Sequence, residues 1–164
     1  VLITSKHQSA FETLALYYYL PDVFFIHKKE LFLIPIFGQY LYKSNMVSID
    51  RDGGTKTMRK MLDDVKKKLE LGKSIIIFPE GTRKKPGSKP DYKTGFVGIY
   101  NHTKREILPV ALNSGLCWSK QSWILKNGII TIKFLPIIEK NLDKKELLKR
   151  VQECIEKETN ILLN

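Results

Sequence analysis

The stretch Ser74-Ile75-Ile76-Ile77-Phe78-Pro79-Glu80-Gly81-Thr82-Arg83 constrains the fold more than any other part of the chain. Its first half is an apolar, β-like run. Its second half ends that strand with Pro, Glu, Gly, Thr and Arg and leads into a basic Gly/Pro loop, Lys84 to Pro90. In α/β sheets, ligands bind in the crevice outside the carboxyl ends of the strands. Gly81 lets backbone approach a ligand closely, and Arg83 offers a planar fork matched to phosphate oxygens. Alone, such a string more often marks an ordinary turn with a solvated Arg. Three further strand ends change its weight.

The first is Val1-Leu2-Ile3-Thr4, which runs into Ser5-Lys6-His7-Gln8-Ser9 and then into a periodic segment from Ala10 to Leu20. His7 falls in a strand-to-helix turn, with Glu12 in the first helical turn. A carboxylate near an imidazole fixes its tautomer and stabilises its charged form, as a general base requires. Ser9-x-x-Glu12 also fits a capping box, in which Ser9 caps the helix and Glu12 bonds back to the cap. A carboxylate at a helix N-terminus can do both. The second is Val47-Ser48-Ile49-Asp50-Arg51, followed by Asp52-Gly53-Gly54 and a helical pattern from Thr55 to Leu71. Arg51 is either a site residue or a surface partner of Asp50 or Asp52. The third is Ile107-Leu108-Pro109-Val110-Ala111-Leu112, where a Pro inside a strand predicts an edge or a bulge.

Strands alternating with helices predict an α/β fold with a mixed, largely parallel sheet flanked by helices. Strands are expected at 1–5, 23–26, 46–49, 75–78 and 108–112, with helices at 10–20, 31–42, 55–71, 96–102 and 142–163. A hairpin of 123–125 with 129–135 is expected around Lys126-Asn127-Gly128. At 164 residues the chain makes one domain, with no internal repeat and no linker.

Lys and Arg number 28 against 17 acidic residues, a formal charge of +11. That balance favours anionic partners: nucleic acid, phosphorylated substrates or an anionic membrane surface. The charges are dispersed and no nucleic-acid motif is present, which argues against the first. Cys117 and Cys154 make no disulfide framework. His7, His27 and His102 show no metal-ligand spacing, and His27 and His102 read as surface or packing residues. No apolar stretch is long enough to span a bilayer. Leu31-Phe32-Leu33-Ile34-Pro35-Ile36-Phe37 is a short apolar run behind Lys28-Lys29-Glu30. It reads either as a buried core helix or as a segment dipping into a lipid interface; Tyr17-Tyr18-Tyr19 offers a second such contact.

Taken together, the four blocks resemble the glycerolipid acyltransferase family, specifically the bacterial 1-acyl-sn-glycerol-3-phosphate acyltransferases. The family's H-x-x-x-x-D block is matched by His7 to Glu12, with Glu in place of Asp. Its Arg-terminated block is matched by Ile49-Asp50-Arg51, its F-P-E-G-T-R block by Phe78 to Arg83, and its short block around Pro by Leu108 to Ala111. The resemblance runs from residue 5 to about residue 115 and implies a glycerol-3-phosphate acyltransferase-like sandwich over residues 1–164. It implies transfer of an acyl group from acyl-CoA or acyl carrier protein to the sn-2 hydroxyl of lysophosphatidic acid, giving phosphatidic acid. His7 is then the base and Glu12 its partner. Arg51, Glu80, Gly81, Thr82, Arg83 and Pro109 are the expected substrate-binding residues, the role of Glu80 being open between the glycerol backbone and the arginines. No metal and no cofactor beyond the acyl donor is expected. The implied location is the cytoplasmic face of a bacterial inner membrane. Since such proteins carry a hydrophobic segment before the first block, the chain is expected to be a fragment lacking it. The alternatives are an enzyme for another lysolipid and a non-enzymatic lipid- or nucleic-acid-binding module.

Overall fold

A computed structural model describes residues 1–44, 46–50, 53–120, 122 and 124–164. In chain order the elements are β1 (Leu2–Ser5), α1 (Phe11–Tyr19), β2 (Val23–Lys28), a 3-10 segment (Lys29–Leu33), α2 (Phe37–Lys43), β3 (Val47–Ile49), α3 (Gly54–Glu70), β4 (Ser74–Ile77), α4 (Gly95–Thr103), β5 (Ile107–Leu112), α5 (Ser114–Cys117), β6 (Ile132–Phe134) and α6 (Lys144–Leu163). The strands form one sheet in the order β3-β2-β4-β1-β5-β6, parallel except for β6. The mixed, largely parallel α/β architecture expected from the alternation is the one observed.

Side-chain alternation along the central strands divides the core. Leu2, Ile75, Ile107 and Ala111 face α3, α4 and α6, where Met61, Val65, Phe96, Leu147, Val151 and Ile155 complete the larger cluster. Ile3, Ile76 and Val110 face the other way, against Leu16 of α1. On that side Tyr17, Phe25, Phe78 and Ile132 are only partly buried. β1, β4 and β5 are adjacent and parallel, so residues 6–12, 78–83 and 113–115 all emerge along one end of the sheet.

Of the two readings of Pro109 the bulge holds, and two other expectations are corrected. Pro109 does not mark an edge, because β5 lies between β1 and β6. It marks a bulge: Val110 pairs with Phe134, but Ile107 bridges Ile138, so the register slips by one residue across Pro109. The missing N–H falls where the ladder is interrupted. Residues 31–42 do not form one helix. A 3-10 segment and α2 are separated by Ile34-Pro35-Ile36, with Ile36 at φ 67°, a left-handed conformation that an Ile adopts only under strain. The hairpin is not formed among the described residues either. Trp123 lies outside the described residues, Ile124, Leu125 and Ile129 are exposed, and of 124–135 only 132–134 forms a strand, on β5.

Candidate active site

β1 runs one residue past its last paired position, since Lys6 N–H still donates to Val110 O at 3.0 Å. The chain then turns through His7-Gln8-Ser9 into α1. Glu12 organises this turn. Its Oε1 accepts the Gln8 N–H at 2.6 Å, the Ser9 N–H at 2.7 Å and His7 Nδ1 at 2.9 Å. Its Oε2 accepts the Ser114 hydroxyl at 2.7 Å. The carboxylate is fully buried. Burial alone pushes its pKa up, but donors from His7, Ser114 and Ser9 outweigh burial and hold it below the ordinary Glu value. Glu12 therefore serves the turn and the imidazole together. The capping-box geometry is only half present: Glu12 bonds back to Ser9 N–H, while the Ser9 hydroxyl accepts Phe11 N–H at 3.2 Å and Ala10 is the residue flanking the helix.

An ionised Glu12 is acceptor-only, so Nδ1 of His7 carries the proton and Nε2 presents a lone pair. Nε2 has no partner among the described residues and remains accessible to solvent. The ring stacks on Phe78 with centroids 4.0 Å apart and planes 16° from parallel, and Phe78 stacks on Phe25 at 5.9 Å. The imidazole is thus held by a carboxylate on one edge and an aromatic face, with one nitrogen free to exchange a proton.

Residues 78–83 turn sharply beside it. Gly81 sits at φ 68°, which favours glycine, and its N–H closes the turn onto Phe78 O at 3.0 Å. Glu80 points inwards and is 1 % exposed. Its Oε1 accepts the backbone N–H of His7 at 3.0 Å, and its Oε2 lies 3.2 Å from the Lys6 ammonium. Both oxygens expected to serve a ligand are thus occupied by protein donors. Burial raises the Glu80 pKa despite the opposing Lys6 charge. Lys6 is itself buried and reaches Glu156 of α6 at 2.7 Å, and Glu156 also accepts the Tyr92 hydroxyl at 2.9 Å. Burial and the Glu156 charge push the Tyr92 phenol up.

Gly81 and Thr82 are exposed, and Lys120 donates to Thr82 Oγ1 at 3.1 Å. Arg83 is half-buried, and the described residues give its guanidinium no hydrogen bond or ion pair. Pro109 is buried in the sheet, in register with Thr4. Arg51 lies outside the described residues. Lys6, Ser114, Tyr92 and Glu156 were not singled out from the sequence. Lys6, as a charged residue where β1 ends beside His7, was the one visible signal; Ser114 and Glu156 sit 102 and 150 positions from their partners Glu12 and Lys6.

His27 and His102 are packing residues. His27 Nδ1 lies 2.9 Å from Lys28 O with its ring edge-on to Phe32, and His102 lies 3.2 Å from Asp63. Cys117 and Cys154 are free thiols, the latter pushed up to about 11 by burial. No metal-binding cluster occurs among the described residues. A cavity of about 600 Å³ lies between β3 and α3, lined by Ser48, Asp50, Lys60 and Asp64 among others, and does not touch His7.

Residues 1–113 match the family model described as Acyltransferase. The chain is 30% identical over 135 residues to the 1-acyl-sn-glycerol-3-phosphate acyltransferase of Pseudomonas aeruginosa, covering 82% of this chain and 52% of that protein. It is 37% identical over 113 residues to the protein of the same name from Helicobacter pylori, covering 68% and 47% respectively. The chain thus spans about half the length of these curated relatives. The fold matches that of the 1-acyl-sn-glycerophosphate acyltransferase PlsC from Thermotoga maritima with a TM-score of 0.81, 24% identity, and coverage of 98% of this chain and 65% of that one.

Proposed function

The chain belongs to the acyltransferase family, and we propose that it transfers an acyl group from a thioester to the sn-2 hydroxyl of 1-acyl-glycerol-3-phosphate. The observation that carries this reading is the His7–Glu12 pair after β1, with Nε2 of His7 unpartnered among the described residues, at the end of the sheet where the neighbouring β4 leads to Arg83. In the reaction, Nε2 takes the proton of the hydroxyl as its oxygen attacks the thioester carbonyl carbon. The carbon–sulfur bond of the tetrahedral intermediate breaks, and the leaving thiolate recovers the proton from the imidazolium. Glu12 stabilises that imidazolium and keeps Nδ1 protonated. No protein nucleophile is needed. Arg83, with Thr82 beside it, binds the acceptor phosphate; Arg51 is a second phosphate ligand on sequence grounds. The donor is acyl-CoA or acyl carrier protein, both anionic and suited to a chain of charge +11.

The substrate is a lipid, and we place a lipid surface against the 3-10 segment and α2. Leu33 and Ile36 are 82 % and 83 % exposed, Phe32, Ile34, Tyr40 and Tyr42 are also exposed, and Lys28, Lys29 and Lys43 flank them. Core burial of the 31–37 run, the other reading of the sequence, does not occur at 32–36. Aromatic rings run inward from this face: Tyr40 to Tyr17 at 6.4 Å, Tyr17 to Phe25 at 6.3 Å, then Phe25 to Phe78 and His7. The proposed acyl chain would lie along these rings, toward the base. Among the described residues no helix is long and apolar enough to cross a membrane. The test is product analysis by mass spectrometry with acyl-CoA or acyl carrier protein and a panel of lysolipids. Phosphatidic acid as the dominant product supports the reading; acylation of a phosphate-free lysolipid in preference overturns the choice of acceptor.

A further inference from the structure

Asn113, Ser114 and Gly115 follow β5 directly, at and just beyond the end of the family match. Each side chain or backbone group bonds into a different part of the molecule. Asn113 donates from Nδ2 to Leu162 O of α6 at 3.1 Å and accepts Thr131 N–H at 2.8 Å. Gly115 N–H donates to Gln8 Oε1 at 3.0 Å. A Cβ on Gly115 would come within 2.7 Å of Pro86 Cγ and 3.0 Å of Gln8 Cβ, so the turn is wedged against the His7 segment with no slack. Between them, Ser114 donates to Glu12 Oε2, and both side chains are fully buried.

The two oxygens of Glu12 are held differently. Oε1 accepts three donors, all from residues 7–9, within the same turn. Oε2 has Ser114 as its partner, across 102 positions of sequence. The terminal torsion of a Glu side chain is broad, so bonds to one oxygen alone do not fix the plane of the carboxylate. A second bond, from a rigidly seated hydroxyl on the far oxygen, does. We propose that Ser114 is the positioning residue of the site, locking the Glu12 carboxylate in a Ser114–Glu12–His7 relay. Ser114 acts through Glu12 and touches no reacting atom. Without its hydroxyl, Oε2 is a buried anionic oxygen with no donor among the described residues; the carboxylate takes up a proton more readily and loses its fixed aim at Nδ1. The kinetic consequence rests on the acyl-transfer reading; the geometric one does not.

The experiment compares Ser114→Ala and Ser114→Thr with the wild-type chain in two ways. Histidine-labelled NMR follows the Nδ1–H proton of His7, assigned with His7→Gln, and needs no turnover. Acyl-transfer kinetics are measured across pH in parallel. In Ser114→Ala the Nδ1–H proton exchanges with water about tenfold faster. The kcat falls by about ten- to hundredfold, the rate equivalent of one hydrogen bond to a charged group, with KM nearly constant. The acid limb of the kcat profile moves to higher pH, because a carboxylate with fewer donors is protonated earlier as pH falls. Ser114→Thr, which keeps the hydroxyl, restores all three. An unchanged His7 signal and pH profile in Ser114→Ala overturns the proposal, as do equal losses in the Ala and Thr variants, which would mark a packing role. A changed His7 signal with no turnover in any variant, wild type included, upholds the relay and overturns the acyl-transfer reading.

Discussion

Glu12 is the residue on which most of the site turns. It is fully buried, accepts four bonds, and its pKa is held down by donors that outweigh burial. Glu12→Gln keeps the size but replaces an anion by an amide that cannot balance an imidazolium, so kcat falls by roughly 10²–10⁴-fold. Glu12→Asp keeps the charge and retains substantial activity. Equal activity in both variants would show that Glu12 only caps the turn. The depressed pKa has a signed consequence for stability. The folded state binds this proton less readily than the unfolded chain, so Glu12 contributes stability above the ordinary Glu value that is lost as pH falls through the folded one. Acid titrations of thermal stability on wild type and Glu12→Gln should differ there and converge at lower pH. His7 and Arg83 were legible from the sequence because each follows closely on an apolar run, and Glu12 because it falls in the first helical turn after His7. Ser114 was not, because a Ser after a strand is an ordinary turn residue until the fold brings it to Glu12.

At the scale of elements, the ends of β1 and β4 are tied to α6 through one buried ammonium. Lys6 lies between Glu80 and Glu156, and Glu80 holds the backbone N–H of His7. Breaking a buried ion pair by removing one partner leaves an uncompensated charge, so Lys6→Ala should destabilise the chain by about 3–5 kcal/mol. Adding Glu80→Gln in the same chain should recover part of that loss, read as the urea midpoint. No recovery would mean that Lys6 acts through packing alone. Most elements were readable from periodicity: the helices at 10–20, 55–71 and 142–163 and the parallel strands lie within a few residues of expectation. The failures have physical reasons. Ile34-Pro35-Ile36 cannot continue a helix because Pro removes a donor and restricts its neighbour, which splits 31–42. The Lys126-Asn127-Gly128 turn signal found no second strand, because β6 takes its partner from β5 instead. Pro109 reads as an edge or a bulge on local rules, and the bulge against β6 lets it sit inside the sheet.

For the whole molecule, the proposed lipid contact draws on both the charge of +11 and the exposed apolar face at 32–36. Apolar side chains ringed by lysines suit an anionic lipid surface, whose attraction for basic groups is screened by salt. Vesicles containing phosphatidylglycerol should sediment the chain more than phosphatidylcholine vesicles do, and added salt should weaken this. Leu33→Asp with Ile36→Asp should abolish vesicle binding while leaving the fold intact, because both side chains are exposed. Binding that survives the double substitution would place the lipid contact elsewhere. Sequence carried the fold and the ordered strand ends, but not which apolar segments face solvent, since an apolar run looks alike in a core and at an interface. On the proposed function, this chain moves acyl groups with His7 as the base. The decisive experiment is thiol release from an acyl thioester, with lysophosphatidic acid in anionic vesicles, for wild type and His7→Ala. Release that requires both the acceptor and His7 is the predicted result. Release that is equal in His7→Ala, or absent from wild type with both acyl-CoA and acyl carrier protein as donors, would contradict it.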